Sequence, residues 1–178
     1  MKKVIYCIAL FFLVTSCAQN KPITKLYLVS IFSKEETSRL ASPGINSIKG
    51  SSLMRQVGGG VVTCAGQQIA LIPATNYASE RMRYIYGSDK AGYRSVLSMQ
   101  NSPPAFSETD PDYLNLQKNT LCDAQGFFKF EKIADGDFFL LSTIAWKADA
   151  NSFVYEGGTM LRKVHVEGGE MAELVIAP

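Results

Sequence analysis

The chain has 178 residues, with 18 Lys plus Arg, 16 Asp plus Glu and one His, for a formal charge of +2, which bounds it to one domain with or without appendages. A hydrophobic content of 47% is enough to build a core, and 19% charged residues exclude a disordered polar tract. The small, dispersed charge balance excludes a nucleic-acid surface, which needs clustered Lys and Arg, and a single His excludes most His-based metal and catalytic sites.

Residues 1–16 read as an export signal. Lys2 and Lys3 precede an apolar run from Val4 to Val14, shorter than the ~20 residues that span a hydrocarbon core as a helix, and small residues follow it. Val14-Thr15-Ser16-Cys17 resembles the lipobox of bacterial lipoproteins. The resemblance implies a signal peptide at 1–16, lipid attachment at Cys17, a tether at 17–24 and a domain at 25–178. Ordinary signal-peptidase cleavage at Ser16-Cys17-Ala18 and an uncleaved anchor are the competing readings. Ala18 in place of Asp after the cysteine implies an outer-membrane lipoprotein. More than one acyl chain on Cys17 gives stable anchoring. Without Lys2 and Lys3 the basic residues fall to 16 against 16 acidic, so membrane attachment rests on Cys17 and not on charge. Once Cys7 and Cys17 are accounted for, Cys64 and Cys122 remain. In an oxidising compartment they are expected to form a disulfide, closing a loop of 58 positions and stabilising the domain by about 4 kcal/mol. The alternative is a pair of small buried hydrophobes.

Strands dominate the rest. Lys25 to Phe32 has strand composition, Lys34 to Leu40 fits a short exposed helix, and Ala41 to Ser52 reads as a loop from its Ser-Pro-Gly and small polar residues. Leu53 to Val57 alternates, and Val61 to Cys64 and Gln67 to Ile72 read as a hairpin closed by Pro73. Gly60 to Gly66 lacks the Lys-Ser/Thr ending of a phosphate loop. A helix capped at Thr75 or Asn76 and ended by Gly87 puts Ala78, Met82 and Ile85 on one face, with Glu80, Arg81 and Arg83 outward. Ser88 to Lys118 reads as a long connection, pinned by Tyr93, Phe106, Tyr113 and Leu116. Then come a turn at Asp123–Gly126, alternating Phe128 and Phe130, a second turn at Asp135-Gly136, and a long strand from Asp137 to Trp146 covered on both faces. Phe153–Tyr155, Met160–Val166 and Met171–Ile176 are further strands, separated at Gly157-Gly158 and Gly168-Gly169.

The spacing Asp123-x-x-Gly126-x-Phe128-x-Phe130-x-x-Ile133-x-x-Gly136-x-Phe138-x-Leu140 resembles the carboxypeptidase regulatory-like family. Gly60, Val62, Cys64, Gly66, Ile69 and Leu71 resemble its opening strand pair. The resemblance covers 53–178 and implies an all-β, Greek-key transthyretin-like sandwich, interrupted by an insertion at 73–119 with one short helix and a long loop. It leaves strand order open and is nearly silent on function.

No catalytic set emerges. A zinc peptidase, a hydroxyisourate hydrolase and an intradiol dioxygenase each need motifs or histidines that a chain with His165 alone cannot supply. His165 lies between Val164 and Val166, as an outward strand residue without a recognisable partner. Asp110, Asp112, Asp123 and Asp135 lack the spacing of a calcium loop and read as turn residues. Two functions of different class remain, with no cofactor or metal implied and no nucleic-acid partner. One is a non-catalytic binding or scaffold module for an envelope protein, peptide or glycan, with Tyr77, Tyr84, Tyr86 and Tyr93 as a stacking surface if exposed together. The other is an enzyme acting on an envelope or periplasmic substrate through carboxylates, Ser or Tyr of the 73–119 insertion, a reading that a pocket joining Asp110 or Asp112 to Arg81 or Arg83 would favour and a flat solvated loop would weaken.

Overall fold

The computed structural model describes residues 25–178; the expected signal peptide, lipid attachment at Cys17 and tether lie outside the described residues. In chain order the elements are α1 (Lys34–Ala41), β1 (Pro43–Arg55), β2 (Val61–Thr63), β3 (Gln68–Pro73), α2 (Asn76–Tyr86), β4 (Ala91–Ser95), α3 (Val96–Asn101), α4 (Pro111–Asn115), β5 (Lys118–Leu121), β6 (Phe127–Ile133), β7 (Gly136–Lys147), β8 (Tyr155–Val166) and β9 (Met171–Ile176). Two sheets pack face to face as an all-β sandwich. In the four-stranded sheet β1 is central, with β6 antiparallel on one side, β9 parallel on the other, and β2 antiparallel to its C-terminal end. The five-stranded sheet has the order β4-β8-β7-β3-β5, every neighbour antiparallel.

Period-two alternation supplies the inter-sheet core. Ile48 and Met54 of β1 and Phe128 and Phe130 of β6 meet Phe138, Leu140 and Ile144 of β7, Met160 of β8, and Ile69 and Leu71 of β3. A buried hydroxyl pair, Ser52 and Ser142 at 2.6 Å, ties the two layers at their centre. The disulfide is formed: Cys64, just after β2, is bonded to Cys122, just after β5, so it joins the two sheets.

The expected loop at Ala41–Ser52 is instead most of β1, the longest strand. Its inward residues include Asn46, Gly50 and Ser52, which are small or polar and read as loop, yet each is buried. Gly50 is needed because a Cβ there would collide with the Leu174 carbonyl of β9. Asn46 is fully hydrogen-bonded, donating to the Ile133 carbonyl and Asp135 and accepting from the Gly169 and Glu170 amides. The expected hairpin of β2 and β3 is not a pair; each strand joins a different sheet. Gly157 and Gly158 lie within β8 rather than between strands, and Phe153 and Val154 precede it.

The expected strand at Lys25–Phe32 is an extended arm with a single bridge, Leu26 to Phe106. Its amides are taken elsewhere: Leu26 donates to the Ala105 carbonyl, while Val29 and Ser30 donate to the two carboxylate oxygens of Glu80 at 2.8 and 2.7 Å. The helix at 76–86 forms as expected, with the Thr75 hydroxyl accepting from the Ala78 amide and Gly87 left-handed at φ 74°. The long connection is not structureless. It holds β4, which pairs with β8, and the short helices α3 and α4. Arm, α2 and α4 cover the outer face of the five-stranded sheet in a second core of Ile72, Tyr77, Met82, Tyr113, Phe139 and Leu161, with Leu28 and Phe32 against it. So β7 is covered on both faces only along its first half; Thr143 and Ala145 are exposed.

Candidate functional site

The four-stranded sheet leaves its outer face open, and there the register builds a groove. Ser51 of β1 lies between Phe127 of β6 and Val175 of β9, and the next row is Lys129, Lys49 and Glu173. Because Ser51 is small, the floor stays low between a phenyl ring on one side and an isopropyl group on the other. The groove encloses about 900 Å³ and extends across β6 to Thr120, Leu121 and Asp123 at the edge of the other sheet. The Phe127 ring is 56% exposed. Its backbone is fixed by the turn before it: Asp123 Oδ1 accepts from the Gln125 and Phe127 amides at 2.9 and 2.8 Å, and the Asp123 amide donates to the Phe127 carbonyl. Lys49 pairs with Glu173 at 3.1 Å, and Lys129 pairs with Glu131. Both pairs are exposed, so they are weak and exchangeable. An apolar platform beside a few oriented polar groups is what a small-molecule or sugar site requires.

The insertion does not assemble the site expected of it. Tyr77 is buried and Tyr86 half-buried, so only Tyr84 and Tyr93 are exposed, and the four rings make no common surface. Burial pushes the hydroxyls of Tyr86 and Tyr113 up to about 12. Arg81, expected outward, is 9% exposed. Its guanidinium carbon lies 3.8 Å from the Phe106 ring centre, 4.8 Å from Tyr113 and 5.5 Å from Tyr77, and it donates to the Tyr77 and Thr109 hydroxyls at 3.1 and 3.2 Å. Among the described residues no carboxylate lies within 4.0 Å of it. Arg83 bonds Asp89, and Asp112 bonds Lys34 at 2.8 Å. Asp110 caps α4 and lines a separate cavity of about 580 Å³ under the arm, without joining either arginine.

His165 points outward as expected, but it has partners: Nδ1 is 2.7 Å from Asp137 and Nε2 is 3.6 Å from Glu167. The hydrogen bond to Asp137 raises the imidazole above its ordinary value of 6.5. Asp137 is held below the usual carboxylate range, first by Lys163 at 2.8 Å and then by His165. Asp123 and Asp135 each use Oδ1 as a turn acceptor, Asp123 for the Gln125 and Phe127 amides and Asp135 for the Gly168 amide and the Asn46 side chain. Among the described residues no three His, Cys, Asp or Glu side chains gather as a metal site.

No family model and no curated protein matches the chain. A solved structure does: a candidate carbohydrate binding protein from Pseudomonas aeruginosa, 21% identical, with the match covering 83% of this chain and 97% of that one at a TM-score of 0.68. At that identity the likeness establishes the shared fold.

Sequence reasoning passed over Phe127. Its signal was available: it stands out of phase with Phe128 and Phe130, an aromatic on the side of β6 otherwise occupied by Lys129 and Glu131.

Proposed function

We propose that this protein is a non-catalytic carbohydrate-binding module of the bacterial cell envelope, held to the outer membrane by lipid at Cys17. The observation that carries the binding half is the groove around Phe127: an exposed ring, fixed by the Asp123 turn, beside Lys49, Lys129, Glu173 and Thr120. A pyranose presents an apolar face to such a ring and hydroxyls to such a rim. The fold shared with a candidate carbohydrate binding protein supports the same reading. The lipobox Val14-Thr15-Ser16-Cys17 supports the anchor.

The test is a glycan array followed by titration calorimetry with an oligosaccharide retained on it. Phe127→Ala removes the platform and is expected to weaken binding about tenfold to a hundredfold, the equivalent of roughly 1.5–3 kcal/mol of lost ring burial. Binding that Phe127→Ala leaves unchanged, or an array with no retained glycan, overturns the assignment. Mass spectrometry of the detergent-extracted protein tests the anchor separately; an unmodified terminus at Gln19 refutes it.

A further inference from the structure

The arm at 25–33 presents a second surface, on the opposite side of the molecule from the groove. Tyr27, Val29 and Ile31 alternate outward at 75%, 89% and 90% exposure, while Leu28 and Phe32 turn inward against α2 and α4. This is a row of apolar side chains that the fold leaves bare. The arm does not hang free. Glu80 grips the Val29 and Ser30 amides, Leu26 exchanges backbone bonds with Ala105 and Ser107, and the Phe32 ring is edge-on to Tyr77 at 5.5 Å. The Val29 and Ser30 amides hold the Glu80 carboxyl below its ordinary range, so the grip persists through neutral pH. The protein therefore holds three exposed apolar side chains on an anchored arm that bends at Val29 and Ser30.

We infer that this row is the face on which the domain rests against the lipid bilayer. The inference depends on the lipid anchor at Cys17. Only ten positions separate Cys17 from Tyr27, a contour of at most about 35 Å, so the row begins within that reach of the anchor. Tyr beside aliphatic side chains suits the interface, where an apolar body enters the acyl boundary and a hydroxyl stays at headgroup depth. With no net charge left after signal removal, lipid affinity here comes from apolar burial rather than from attraction to anionic headgroups. The layers run in order from the arm and α2, through the five-stranded sheet, to the four-stranded sheet. A bilayer at the arm therefore leaves the Phe127 groove facing away from the membrane.

The experiment uses the full lipidated chain in vesicles of phosphatidylethanolamine and phosphatidylglycerol. Val29→Cys carries an environment-sensitive dye, Tyr27→Cys is a second site should the first disturb the arm, and Glu131→Cys is the control on the opposite sheet. Doxyl-labelled lipid is expected to quench the dye at 29 and at 27, with a blue shift, and to leave 131 unaffected. Dye at 27 and 29 that is no more quenched than at 131, in protein whose mass shows lipid on Cys17, overturns the inference while the anchor stands. Crosslinking of 29 to 29 with no quenching assigns the row to a second copy of the chain and overturns it equally. A mass showing no lipid removes the anchor, and the inference falls with it.

Discussion

At Arg81 a full positive charge is held inside the protein by rings and hydroxyls rather than by a carboxylate. Burying an unpaired ion is costly. Three aromatic faces within 5.5 Å and two hydroxyl acceptors offset that cost, and the guanidinium in turn helps to pin Phe106 and Thr109 in the stretch before α4. Arg81→Ala is expected to destabilise the domain by about 2 kcal/mol or more, lowering Tm by roughly 4–8 °C. Arg81→Lys should recover little, because an ammonium cannot lie flat between rings. A native-like melt for Arg81→Ala would show that the cage contributes nothing, and one for Arg81→Lys that the planar fork is not what it needs. The other informative residue is His165. Its raised value means its contribution is fully present below about 6.5, the unfolded value, and is lost as pH rises through the folded one. Asp137, held low, contributes above its unfolded value near 4 and loses that contribution as pH falls through the folded one. The stability difference between the native protein and His165→Gln is therefore expected near pH 6 and absent by pH 9, read by urea unfolding at the two values. A difference that grows with pH would reverse the sign of the argument.

Among the elements, those with β-branched and aromatic alternation were legible: β6, β7, the second half of β8, and β9 all follow from the residues of the C-terminal third. Strand β1 was not, because Gly44, Asn46, Gly50 and Ser52 are chosen for close approach of β9 and the turns, and small residues carry no propensity for the strand they occupy. Strand β4 was hidden for the same reason, with Ala91 and Gly92 opening it. Period two states which residues share a face, and it says nothing about which strand lies alongside. That is why β2 and β3 read as a hairpin although they belong to different sheets. The groove was illegible in the same way: Phe127, Ser51 and Val175 are far apart in the chain, and only the register brings them into a row. The disulfide was readable from cysteine counting, and its position now explains its use. It clamps the sheet edges directly beside the groove residues Leu121 and Asp123. The double variant Cys64→Ala/Cys122→Ala is expected to lose up to about 4 kcal/mol, seen as a lower urea midpoint under non-reducing conditions. An unchanged midpoint would mean that the closed loop adds nothing to the packing already present.

At the scale of the whole molecule, the proposed roles divide between layers: an arm layer to one side, a groove sheet to the other, and the five-stranded sheet, a plate, between. The plate is self-contained, since β3 to β5, β7 and β8 are all made before the last strand. The groove sheet is different. Its central strand β1 is the first of the described strands, and its parallel neighbour β9 is the last. Ser51 therefore waits for Val175 through the synthesis of everything between them. A chain emerging in sequence order can form its plate first, but it has no groove until β9 has docked on β1. Under the proposed function, binding therefore has to wait for β9, because the surface exists only when the first and last of the described strands have met.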